Sequence, residues 1–114
     1  MTKGIMPLLE DFLEIGIDVL WGPDPVQGGA DLPALREKVG GRICIWGGMN
    51  AILTLGEGAP ADARRAVEEA IRTLAPGGGF VLFPVDQIVA GTPWENIEAM
   101  LGRWRELRAY PVRI

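Results

Sequence analysis

Residues 76–84 read PGGGFVLFP, and the order of elements around them decides how the chain is organised. Three adjacent glycines beside an apolar run invite comparison with a phosphate-cradling loop. Such a loop follows a strand and opens a helix, so that the helix N-terminus faces the anion. Here the glycines come first and the apolar run follows. Upstream, within residues 61–74, Val67, Ala70, Ile71 and Leu74 recur at helical spacing. Gly77 to Gly79 therefore read as a helix stop and the turn into a strand, FVLFPV at 80–85. Chemistry is expected at the other end of that strand.

The same unit recurs outward from this point. Residues 6–15 place Met6, Leu9, Phe12 and Leu13 on one helical face, closed by Gly16. IDVLWG (17–22) is a short apolar run of the kind buried on both faces of a parallel sheet. Asp31 is placed to N-cap LPALREKV, whose stripe is Leu32, Leu35 and Val39. RICIWG (42–47) is the second strand, followed by a long loop to residue 60. A last helix opens at TPWE, with Thr92 as N-cap, Pro93 at the first helical position and Glu95 completing a capping box. Its stripe runs through Trp94, Ile97, Met100, Leu101, Trp104 and Leu107, so Trp94 and Trp104 read as packing residues.

Helix and strand thus alternate as α-β-α-β-α-β-α over one domain, residues 1–114. That is an α/β class with parallel strands and right-handed crossovers. In such folds active groups gather beyond the C-terminal ends of the strands. The loops there are 22–30, 47–60 and 84–92, and their side chains with chemical potential are Asp24, Gln27, Asn50, Thr54, Glu57, Asp86, Gln87 and Thr92. We take Asp86, Gln87, Asn50 and Asp24 as candidate ligand-binding residues. Asp86 follows a buried strand and can accept a hydrogen bond from a ligand, or serve only to shape its turn. Asp24, between Pro23 and Pro25, reads as a turn residue that can line a cleft, and Asn50 as a structural hydrogen-bonding group. Trp21 and Trp46 end strands and can line either core or pocket.

Composition excludes several chemistries. The chain has no histidine, which removes the usual general base and neutral zinc ligand. Its single cysteine, Cys44, reads as a buried, inert thiol in a strand. No metal site and no cofactor are expected, and no catalytic residue is assigned. Net charge is −4, and Arg64 and Arg65 share their helix with Asp62, Glu68 and Glu69. That argues against a nucleic-acid or membrane partner. No apolar run approaches the roughly 18 residues of a membrane span, and no secretory leader is apparent, so a cytoplasmic protein is expected.

Four stretches in order, GIDVL (16–20), RICIWGG (42–48), PGGGF (76–80) and TPWENI (92–97), are similar to the C-terminal part of the uroporphyrinogen decarboxylase family. The superfamily also includes corrinoid-dependent methyltransferases. The similarity runs from about residue 8 to residue 107. It implies a (β/α)8 barrel of about 250 residues, of which these are the last three βα units. It also implies that the substrate-binding arginines and the aspartate central to porphyrinogen decarboxylation precede these units. Asp86 stands where the decarboxylases carry a histidine and the methyltransferases a zinc-binding cysteine. The expectation is therefore a uroporphyrinogen decarboxylase-like chain that is inactive by itself. A corrinoid-dependent methyltransferase-like subunit and a non-enzymatic oligomeric α/β module are the alternatives.

Strands cut from a barrel expose the side chains that would face its interior. We assign Ile17, Val19, Trp21, Ile43, Ile45, Val81 and Phe83 to that face. Leaving such side chains wet forgoes roughly 1.5–3 kcal/mol each, against a net domain stability of about 5–15 kcal/mol. The expected partners are copies of the chain or a complementary barrel chain, together with a small-molecule ligand.

Overall fold

The computed structural model describes residues 3–114. A tight helical turn, Met6–Leu8, leads into α1 (Leu9–Ile15), which ends where Gly16 adopts a left-handed φ of 83°. Then follow β1 (Val19–Trp21), α2 (Leu32–Val39), β2 (Cys44–Asn50), α3 (Pro60–Leu74), β3 (Phe80–Val85) and α4 (Trp94–Leu107). The three strands form one all-parallel sheet in the order β1-β2-β3. Successive crossovers of one hand, advancing in one direction, place their helices on the same face. The chain is accordingly only 18 Å deep along its shortest axis, the thickness of one sheet and one layer of helices.

Under α2, a core cluster joins Leu32, Leu35 and Val39 to Leu20, Ile43 and Ile45. Under α3 and α4, a second joins Val67 and Ile71 to Met49, Leu55 and Met100. The glycine stretch behaves as a turn. Gly77, Gly78 and Gly79 take φ values of 84°, 85° and 70°, a run of left-handed conformations that costs residues with a Cβ about 1–2 kcal/mol each. Arg36 pins that turn, donating from Nη2 to the carbonyls of Pro76 and Gly78.

Strand register corrects which residues face the open side of the sheet. Val19 pairs with Cys44, Trp21 with Trp46, Trp46 with Val81 and Gly48 with Phe83, so these positions share one face. Among the described residues no helix covers that face: Val19 and Trp21 are each 45% exposed, Val81 41% and Trp46 40%. Phe83 packs there against Trp21 at 5.6 Å and Trp46 at 6.4 Å between ring centroids. Ile43 and Ile45, expected on the same face, are buried beneath the helices at 3% and 0% exposure, and Ile17 packs against that core. For Ile43 and Ile45 the reason is parity: side chains alternate along a strand, so Ile43 and Ile45 cannot share the face of Cys44 and Trp46, whereas Ile17 precedes β1 and lies outside the alternation. Cys44 is half-buried on the open face rather than enclosed in the core.

Further corrections concern boundaries. The second strand runs to Asn50 and passes into a single wide helical turn, Ala51–Leu55, closed by the Gly56 N–H on the Ala51 carbonyl. The expected loop from 47 to 60 therefore begins as regular structure. Asp31 caps α2, its carboxylate accepting the Ala34 N–H at 3.0 Å. Thr92 does not cap α4: the helix starts after Pro93, and the Thr92 hydroxyl instead donates to the Val89 carbonyl at 2.8 Å. Trp94 is 64% exposed, tied to Glu98 through its indole N–H, and contributes no core packing. No helix among the described residues is long and apolar enough to cross a membrane.

Candidate functional site

The C-terminal ends of β1 and β2 bring Asp24 and Asn50 together, although they lie 26 residues apart in the chain. Both are fully enclosed, at 1% and 0% exposure. Asn50 ends β2 and caps the turn that follows, its Oδ1 accepting the N–H groups of Leu53 at 2.7 Å and Thr54 at 3.0 Å. Its Nδ2 donates to Asp24 Oδ2 at 2.9 Å and to Gln27 Oε1 at 2.8 Å. The carboxamide thereby uses both hydrogens and both lone pairs. Asp24 Oδ1 accepts from the Val26 N–H at 2.8 Å and the Gln27 N–H at 3.3 Å, wrapping the β1–α2 loop around the carboxylate. The loop is further anchored by Ala30 N–H on the Asp24 carbonyl and by Gly48 N–H on the Pro23 carbonyl. At Gly47 a Cβ would lie 2.8 Å from Pro23, so glycine lets the loop sit directly on β2.

This arrangement is a rigid polar knot joining two strand-end loops. The oxygens of Asp24 are met by amide N–H groups and by no cation among the described residues. A buried polar group of this kind is tolerable only when hydrogen-bonded throughout, which makes the knot all-or-none. A cleft of about 460 Å³ opens beside it, lined among others by Val26, Leu32, Met49, Asn50, Thr54 and Arg65. Arg65 is not free there, being paired with Asp62 at 3.1 Å.

Asp86 and Gln87 make no side-chain hydrogen bond to this knot, although Val85, just before Asp86, is the sheet partner of Asn50. They are exposed and adopt left-handed φ values of 71° and 69°, a conformation costing non-glycine residues of order 1–2 kcal/mol each. Asp86 thus forms the turn that ends β3, with no side-chain hydrogen bond among the described residues. Glu57 is also exposed, and Thr92 is occupied by Val89. Among the described residues no group of three acidic or thiol side chains is placed to hold a metal ion.

Asn96 is the residue that sequence reasoning passed over. It is 1% exposed and donates from Nδ2 to the carbonyls of Leu55 and Gly58, both at 2.8 Å. It therefore ties the start of α4 to the loop after β2. The available signal was its position four residues before Met100, a polar group on the helix's buried stripe.

Comparison with known proteins places these features in a family. No curated protein matches the chain. The family model described as Uroporphyrinogen decarboxylase (URO-D) matches residues 1–107, the span that holds every strand and helix described above. The parallel βα units, the open apolar sheet face and this match together show that the chain belongs to the uroporphyrinogen decarboxylase family.

Proposed function

We propose that this chain acts as the late βα units of a uroporphyrinogen decarboxylase-like barrel and has no decarboxylase activity by itself. The observation that carries the reading is the open face of the sheet, where Val19, Trp21, Trp46 and Val81 are each at least 40% exposed. In a closed barrel those positions are interior and filled by layers of side chains from the other strands. On this reading the Asp24–Asn50–Gln27 knot shapes the rim of the ligand site, and Asp86 and Gln87 border it from the next loop. The acid–base and carboxylate-binding groups come from strands outside these units, whichever polypeptide carries them.

The test is complementation. The purified chain is assayed for carbon dioxide release from uroporphyrinogen, alone and after refolding with the first five βα units of a family member. No turnover alone, and a stable complex on mixing, is the expected result. Turnover by the chain alone, or mixtures in which the open face exchanges amide hydrogens as freely as before, would overturn it.

A second reading is supported by the strand edges. β1 and β3 each have a single neighbour, so both present unpaired parallel edges that recruit further strands. Copies of this chain can supply them. Native mass spectrometry separates the readings: a symmetric homo-oligomer that no complementing chain dissociates favours the self-assembled module.

A further inference from the structure

The cleft of about 460 Å³ beside the knot is walled by the loop before α2, the turn after β2 and α3. Its volume falls in the range of small-molecule sites, about 300–1,000 Å³. Leu32, Met49 and Ala66 line it and belong to, or pack against, the cores beneath the helices. None of the side chains exposed on the open face of the sheet lines it. The knot holds four backbone N–H groups, and three of them belong to lining residues: Val26 on Asp24, and Leu53 and Thr54 on Asn50. The bond between Asn50 and Asp24, at 2.9 Å, ties these two segments to each other. The knot thereby fixes the spacing of the cleft's walls in advance, so that a ligand meets ordered groups. One of those walls is the wide turn Ala51–Leu55, a rare helical geometry that recurs at functional sites.

The lining selects an uncharged, mainly apolar ligand. Leu32 and Met49 are buried, whereas Val26 and Leu53 keep 51% and 39% of their surface exposed. Those two side chains come from the two segments that the knot holds, and a ligand between them takes apolar surface out of water. The charged side chains of the cleft already have opposite partners: Asp62 meets Arg65 at 3.1 Å, and Glu69 meets Arg72 at 3.2 Å. A charged ligand would leave water for an apolar cleft whose ions are already paired. Asn50 is saturated within the knot. That leaves the half-buried Thr54 hydroxyl, which has no hydrogen-bond partner among the described residues and can donate or accept.

We propose that this cleft is a binding site for an uncharged, largely apolar small molecule, an aromatic or alicyclic alcohol, with its oxygen at Thr54. The site goes beyond the barrel reading and stands without it, because it lies on the helix side of the sheet and all of its lining comes from this chain.

The experiment follows methyl groups by ¹³C NMR in the full chain, with benzyl alcohol, benzoate and benzylammonium as probes at matched ionic strength. Benzyl alcohol is expected to shift the methyl resonances of Val26, Leu53 and Met49 together and saturably, with both charged probes weaker by about threefold or more. Thr54→Val is expected to weaken benzyl alcohol by about 2- to 10-fold, the worth of one hydrogen bond. Ala66→Leu fills the cleft from α3 and keeps both ion pairs. It is expected to weaken benzyl alcohol by about tenfold or more, with the Val19 and Val81 methyls unmoved. Shifts confined to Val19 and Val81 on the open face would overturn the proposal. So would the lack of a saturable shift at Val26 and Leu53, or a charged probe that binds as tightly as benzyl alcohol. The wild-type titration decides this even if neither variant folds.

Discussion

Asn50 donates to Asp24 across 2.9 Å inside the protein, and the same amide nitrogen holds Gln27 at 2.8 Å. Replacing Asn50 with Asp retains the oxygen that caps residues 51–55 but turns a second oxygen toward the Asp24 carboxylate. Two carboxyl groups then face each other, with no cation bonded to Asp24 among the described residues. Asn50→Asp is expected to lose about 3–5 kcal/mol of stability at pH 7. One proton shared between the carboxylates relieves the repulsion, so the loss shrinks as the pH falls toward 5. Urea unfolding at both pH values checks this, with Asn50→Ala as the comparison that lacks the pH response.

The open face of the sheet makes a second prediction. Val19 and Val81 are 45% and 41% exposed and belong to the outer strands, so lysine at both positions leaves its ammonium in water in the separate chain. Val19→Lys with Val81→Lys is expected to change stability by about 0.5 kcal/mol or less and to weaken association through this face by about tenfold or more. Sedimentation velocity across a concentration series measures the second effect. Association unchanged by the double substitution would show that the face is not the contact.

A third prediction concerns Arg103, which joins α4 to α3. Its Nε meets Glu68 Oε1 at 2.8 Å and its Nη1 meets Glu106 Oε2 at 2.6 Å, with Arg64 3.6 Å from the same oxygen. The hydrogen bond from Arg103, aided by the charge of Arg64, holds the Glu106 carboxyl below its usual range. A carboxyl depressed in the folded state stabilises the protein above the unfolded glutamate value of about 4.3, and that contribution disappears as the pH falls through the folded value. Glu106→Gln is therefore expected to melt slightly below wild type at pH 7 and together with it near pH 3. Thermal melts at the two pH values suffice. A gap that widens in acid would contradict the assigned ion pair.

Local signals were legible in the sequence where they act through near neighbours. Asp31 was readable as a cap because its carboxylate bonds only three residues ahead, to Ala34. Gly16 and the run Gly77–Gly79 were readable as stops because left-handed φ is a property of the residue itself. Thr92 misled for an equally local reason: its hydroxyl can donate as well as accept, and the Val89 carbonyl, three residues back, takes it. Trp94 sits at stripe spacing, yet it is the first residue of α4, where the helix has not yet reached the core.

The order of helices and strands, the parallel sheet and the family of the chain were determined by the sequence alone, because periodicity, breakers and caps are short-range. Which side of the sheet stays open depended on a parity that one residue reverses, since each register step moves a whole strand's side chains to the opposite face. The union of Asn50 with Asp24 and Gln27 came only with the tertiary structure. It needs β1 and β2 side by side in the register that pairs Trp21 with Trp46, and no local preference of either loop encodes that meeting. That Asp86 stays outside the knot's hydrogen bonds has the same origin: its neighbour Val85 pairs with Asn50, and the left-handed turn at Asp86 and Gln87 then carries the chain out of the sheet.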